Sequence, residues 1–251
     1  MRSGNSILKP LVKLAGKGDF ELDPVIPMDY IVLTSWNYEK ALVRGLLRRS
    51  GFESRAGRCF IGRRVTLRCK RKIRLGSNAR LRDGVYINTL SHEGAVLGDR
   101  VLLGTNTCFG CAGSLASVGK GLTIGNNSTF GAGCYFRAAG GIDIGCDVMA
   151  GQLVRFHSEN HNFTVAGVPI RKQGVSHQGI KIDDNVWIGA GAVFLDGAQV
   201  GGGALWPLML WPQQATTRRI PLLRASRQGL LRCADCMSPL ITAERRATVS
   251  L

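Results

Sequence analysis

The chain has 251 residues, 45% of them hydrophobic, with 33 glycines and 8 prolines; this excludes a disordered chain and, in the absence of a Gly-X-Y period, collagen. Lys and Arg number 33 against 17 Asp and Glu, a formal net charge of +16 that suits an anionic surface, a phosphorylated ligand or nucleic acid. Aromatic residues make up 7%, so the core must be mainly aliphatic, and no apolar run reaches the ~20 residues needed to span a bilayer.

Residues 1–56 read as an N-terminal extension. Within it, residues 30–49 place Ile31, Val32, Leu42, Leu46 and Leu47 at roughly helical spacing, end in Arg48 and Arg49, and meet a stop at Gly51. Such a helix can cap the open end of a sheet structure, the reading we favour, or lie on an anionic membrane surface. The first residues are polar with no apolar secretory segment behind them, so a cytoplasmic protein with reduced thiols is expected.

From residue 57 to 203 the pattern changes to a period of six. Leu75-Gly76, Leu81 and Ile87 form one set, and Leu97-Gly98, Leu103-Gly104 and Phe109-Gly110 the next. Ile124-Gly125, Phe130-Gly131 and Phe136 follow, then Ile144-Gly145, Ala150-Gly151 and Phe156, then Ile182-Asp183, Ile188-Gly189, Phe194 and Val200-Gly201. A second apolar column holds Val85, Val101, Val148 and Val186. Period six fits neither a helix nor a single strand. It fits a chain that turns a corner every six residues, three hexads closing one triangular coil of a parallel β-helix. The glycine after each large residue is expected where the turn needs a positive φ or close packing. The repeat is interrupted at residues 88–96, 111–123, 137–143 and, at greatest length, 157–181, and long ordered loops on a rigid scaffold often carry function.

Cys108-x-x-Cys111 and Cys233-x-x-Cys236 have the local spacing of zinc ligands, but they lie too far apart for a zinc ribbon, and no metal is expected.

The run Gly-Ile-Lys-Ile-Asp-Asp-Asn-Val-Trp-Ile-Gly-Ala-Gly-Ala-Val over residues 179–193 resembles the signature of the hexapeptide-repeat acetyltransferases. The loop before it carries Asn160-His161-Asn162-Phe163, Val168-Pro169-Ile170 and Gln173-Gly174, a combination similar to the sugar O-acetyltransferases of surface-polysaccharide biosynthesis, near the maltose and galactoside acetyltransferases. The resemblance covers roughly residues 57–203. It implies that the β-helix is left-handed, that the chain forms a homotrimer, and that acetyl-CoA is co-substrate in a groove between neighbouring β-helices. It implies His161 as the general base that takes a proton from an acceptor hydroxyl, a task suited to imidazole because it titrates near neutrality. His157 is the rival base, Glu159 is a candidate to orient an imidazole, and His92 and His177 have no motif support. Trp187, Gly189 and Ala190 match positions lining the CoA groove, although Trp187 can equally serve packing between coils.

Residues 204–251 depart from the pattern, with Trp206-Pro207, Trp211-Pro212 and seven arginines against Asp235 and Glu244. We read this basic tail as a frameshifted segment, the alternative being a divergent terminus. Codons GTG GCC GCT GAT GCT GTG encode Val-Ala-Ala-Asp-Ala-Val. Read one base late with a following G, they give Trp-Pro-Leu-Met-Leu-Trp, the sequence of residues 206–211. Codons AGC ATC GCG GCA GGG, read in the same shifted frame, give residues 225–229. Two other function classes fit the scaffold or the charge: a zinc hydratase like the γ-class carbonic anhydrases, which needs three converging histidines, and a non-catalytic basic binding module.

Overall fold

The structure, a computed structural model, describes residues 23–48, 50–111 and 118–206. The tail beyond Trp206, with Cys233 and Cys236, lies outside the described residues. The described chain is a left-handed parallel β-helix closed at its first coil by one α-helix, α1 (Met28–Leu47). Short strands fall on three faces, called A, B and C in the order the chain visits them, with seven, seven and six strands.

The period-six residues are the inward columns of these faces. On face A the registered column runs Leu75, Leu97, Ile124, Ile144, Ile182 and Val200. On face B it runs Ile61, Leu81, Leu103, Phe130, Ala150 and Ile188. On face C, Ile87, Phe109, Phe136, Phe156 and Phe194 are stacked. The last three rings lie nearly parallel, with centroids 4.9 and 5.0 Å apart. Val85, Val101, Val148 and Val186 fill corners and are buried. Stacking equal residues in register buries every inward side chain against two neighbours, so the core is continuous along the axis.

The glycine expectation resolves into two separate jobs. The glycine that follows the large residue meets the next coil: a Cβ on Gly125 would lie 2.6 Å from the Cys146 nitrogen, and one on Gly131 2.5 Å from the Gln152 nitrogen. The positive φ sits two residues later, at Asn106 (58°) and Asn127 (62°) among others, where asparagine tolerates the left-handed region.

These tight corners join A to B and B to C. The third corner, from C back to A, takes every insertion. Ile182 pairs with Val200, 18 positions on, which is a bare coil. Ile144 pairs with Ile182, 38 positions on, because the chain leaves the prism after His157 and rejoins it at Ile180, a shorter excursion than the expected 157–181. Strands begin at Ser54–Arg55 and end at Leu205–Trp206, so the described repeat extends slightly past both expected boundaries. Ala204 still packs against the core, and Trp206 pairs with Ile188.

Helix α1 starts and stops two residues earlier than the expected span, with Arg48 as its C-cap. It lies on the first coil for a reason visible in the ladder direction. Carbonyls at some positions accept from the coil before, as Leu81 O from Gly62 N (2.8 Å) and Val85 O from Thr66 N (2.9 Å), so the equivalent first-coil carbonyls of Ile61 and Val65 have no coil before them. Arg44 Nε donates to Ile61 O (2.8 Å) and Arg48 Nη1 to Val65 O (2.7 Å). Arg55 Nη1 returns a bond to Gly45 O at 2.8 Å. Gly45 lets the helix approach, since a methyl group there would overlap the Cys59 carbonyl.

Charge follows the axis. Residues 23–83, helix and first coils, contain 15 Lys and Arg against 5 Asp and Glu, whereas residues 84–206 contain 7 against 8.

Candidate functional site

The long excursion is ordered by its own hydrogen bonds. As the chain leaves face C, buried Ser158 accepts from Gly140 N (3.0 Å) and donates to Arg137 O (2.9 Å), fixing the base of the loop. Asn160–His161 and Val175–Ser176 then pair as an antiparallel ribbon, Asn160 opposite Ser176 and His161 opposite Val175. Beyond the ribbon, Asn162 Nδ2 donates to Gln173 O (3.1 Å). The Gln173 amide ties the tip, accepting from Val165 N (3.0 Å) and donating to Val165 O (3.0 Å) and Val168 O (2.7 Å). The Asn-His and Gln-Gly segments of the motif are therefore the two sides of one built loop.

His161 is exposed on this ribbon. Glu159 and His177 face each other one step nearer the prism, with His177 Nε2 and Glu159 Oε2 3.0 Å apart. Alternation along a strand puts His161 on the same side of the ribbon as this pair. Glu159 is mostly buried (side chain 19% exposed), and Arg137 Nη2 stands 3.7 Å from its other oxygen. The carboxylate thus does orient an imidazole, and the partner is His177, which had no motif to mark it. The signal available in the sequence was symmetry: Glu159 and His177 flank the loop at the positions a closing ribbon brings opposite each other.

His157 lies lower, on the outer side of face C, between Arg137 and Leu195 in register. The Tyr135 ring is 5.6 Å from its own. Burial, then the Arg155 and Arg137 charges, hold its pKa below the usual histidine value, which favours the neutral, proton-accepting form. His92 stands apart, exposed at the edge of face A in Ser91–Leu97.

Trp187 projects from face B and is 55% exposed, so it is not sequestered between coils. Gly189 and Ala190 follow at the B-to-C corner, half-buried, with Ala190 seated over Gly151. Met149, beside Trp187 in register on face B, is also large, apolar and exposed, whereas exposed Leu195 lies on face C next to His157. The loop leaves by the C-to-A edge, and that edge lies opposite face B in a triangular prism. One chain therefore gathers His157, Glu159, His161 and His177 together and sets Trp187 on the far side.

Among the described residues no group of three or more His, Cys, Asp and Glu side chains converges as a metal site. Cys111 is buried in the core, and burial pushes its thiol up to about 11.

No protein-family model matches the chain, and no curated protein matches it in sequence. Solved structures do match. One is a mutant of AntD, an N-acyltransferase from Bacillus cereus, in complex with dTDP-4-amino-4,6-dideoxyglucose and coenzyme A: 14% identity, TM-score 0.40, covering 64% of this chain and 73% of that one. Another is the polySia specific acetyltransferase NeuO: 20% identity, TM-score 0.33, covering 72% and 89%. The strand registers of this chain by themselves define the stacked parallel coils.

Proposed function

We propose that the chain is an acetyl-CoA-dependent O-acetyltransferase acting on a sugar hydroxyl in the cytoplasm, in the making of a surface polysaccharide. The observation that carries this reading is the built loop: the one excursion of its length among the described residues presents His161, exposed, beside a carboxylate-held histidine. The motif resemblance of residues 160–174 and 179–193 supplies the chemistry.

His161 takes the proton from the acceptor hydroxyl as its oxygen attacks the thioester carbonyl of acetyl-CoA. The imidazolium then returns the proton to the sulfur as the C–S bond breaks, leaving an acetyl ester and free coenzyme A. Glu159, anchored by Arg137, holds His177 and with it the spacing of the ribbon on which His161 rides. His157 is the rival base, already biased to its neutral form. Trp187, Gly189 and Ala190 line the groove for the coenzyme, where small residues let the ligand approach the backbone. A site that uses both His161 and Trp187 draws them from two chains, which supports a homotrimer. Phe163, Val165 and Ile170, apolar and exposed on the loop, supply a surface for the neighbouring copy.

The test is thiol release from acetyl-CoA against a panel of sugars and amino sugars, for this chain and for a version with the shifted frame of the tail restored. With a competent acceptor, His161→Ala is expected to lower kcat by roughly 10²–10⁴-fold. Unchanged turnover in that variant would assign the base elsewhere, His157→Ala deciding for the rival. Transfer confined to amino groups would replace O- by N-acetylation.

A further inference from the structure

Helix α1 carries two apolar faces, and the first coil uses only one. Ile31, Thr34, Ser35, Tyr38, Ala41, Leu42, Arg44 and Gly45 are the less exposed positions, and most of them, spaced by three and four residues, mark the side laid on the coil. Directly opposite run Val32, Leu33, Trp36, Val43 and Leu47, exposed at 62, 58, 54, 52 and 79%. At 3.6 residues per turn these five fall within an arc of about 100°. Lys40 lies on the same side with its ammonium 4.9 Å from the Trp36 ring centroid, and exposed Asp29 is the one carboxylate inside the arc, in the first turn. An apolar stripe of this kind on a helix that caps a fold needs a partner.

The surroundings identify its chemistry. The rim of the first coil below the helix exposes Arg58, Arg63, Arg64 and Arg68, and Arg71 and Lys72 follow at its end. They lie within the 15-to-5 excess of basic residues that marks this end of the prism. A second copy docking through the same stripe would bring two such ends together. Residues 1–22 (4 basic, 2 acidic) and 207–251 (7 basic, 2 acidic) also carry net positive charge, so charge disfavours them as the cover. Nucleic acid would satisfy the arginines and leave the stripe in water. A phospholipid surface with anionic headgroups satisfies both: acyl chains receive the valines, leucines and tryptophan, while headgroups meet the arginine rim within about a Debye length of ~8–10 Å.

We infer that α1 and the arginine rim of the first coil dock the protein, helix outward, on an anionic lipid surface. This places the prism axis across the membrane plane, with the His161 loop held away from the lipid by the intervening coils.

The test is co-sedimentation of the full chain with vesicles of phosphatidylglycerol and phosphatidylcholine in equal parts, and with phosphatidylcholine alone. Binding to the mixed vesicles is expected to be at least about tenfold tighter, and to weaken with salt. The outward substitutions Val32→Ser and Trp36→Ser together, and separately Arg58→Glu with Arg68→Glu, are each expected to cut binding by roughly tenfold. The unfolding midpoint verifies that these exposed positions leave the fold intact. Equal binding to neutral vesicles, or no binding to anionic ones, overturns the inference. Unchanged binding by the serine variant overturns it as well, leaving only a generic basic surface. So does a self-associated protein that the serine variant dissociates, which would make a second copy the partner.

Discussion

The helix-capped end and the loop-bearing end of this prism are built from the same coil, yet they differ in almost everything that faces outward. At the helix end the corners are nearly bare, the surface is strongly basic, and a helix covers the open ladder. At the loop end charge is nearly balanced, Trp187 and Met149 stand exposed side by side on face B, and one corner releases residues 158–179, which carry His161 and His177. The inward columns scarcely register the change: Leu75 and Ile182 occupy the same place on face A. In a repeat of this kind the core is set by inward positions. Outward positions and the C-to-A corner are therefore free to vary, because a change there disturbs no stacked neighbour.

The sharpest way to break this division is to exchange readouts between the ends. His161→Ala is expected to abolish most thiol release while leaving vesicle binding as it was, and the serine variant of Val32 and Trp36 should do the reverse. Next in size is a test of why insertions avoid two corners. Gly131→Val drives a side chain into the Gln152 backbone and is expected to destabilise by about 3 kcal/mol in denaturant unfolding. Gly110→Ala, on the side of the open corner with nothing within 4 Å, is expected to change stability little. A smaller effect is expected from Arg48→Ala, which removes the donor to Val65 O at the capped end and should cost about 1–2 kcal/mol by the same measurement.

The smallest effect concerns His157. Its imidazole is expected to titrate by NMR below the ordinary histidine value, and Arg155→Ala to move it back toward that value. Because the folded state resists protonating this ring more than the unfolded chain does, the sign is fixed. Its contribution to stability is complete above the ordinary histidine pKa and falls as pH drops through that value toward the lowered one.

Much of this was legible in the sequence for a specific reason. Leu97, Leu103 and Phe109 repeat at six because each must fill the same inward slot one face further on, so spacing alone finds the coil. The hidden parts depend on neighbours that are distant in sequence. The glycines after the large residues announced a tight corner, but their task, clearing the next coil, and the left-handed asparagines two residues later become distinct only once coils are stacked. His177 carries no motif, because its partner Glu159 lies across a ribbon and not beside it in sequence. Trp187 looked equally suited to packing and to binding, and its outward direction became visible only from the parity of its strand. The handedness came from resemblance, since period six is the same in either hand.

The arginines of α1 also bear on what the molecule is prevented from becoming. A stack of parallel coils has no intrinsic end: an open first coil offers unpaired backbone groups, the Ile61 and Val65 carbonyls among them, on which the last coil of another molecule could continue the ladder. With Arg44 and Arg48 seated on Ile61 and Val65 and the helix laid across them, that template is closed. The cap thus turns a structure able to propagate into one of fixed length, and the same residues that finish the fold protect it from growing into a fibre.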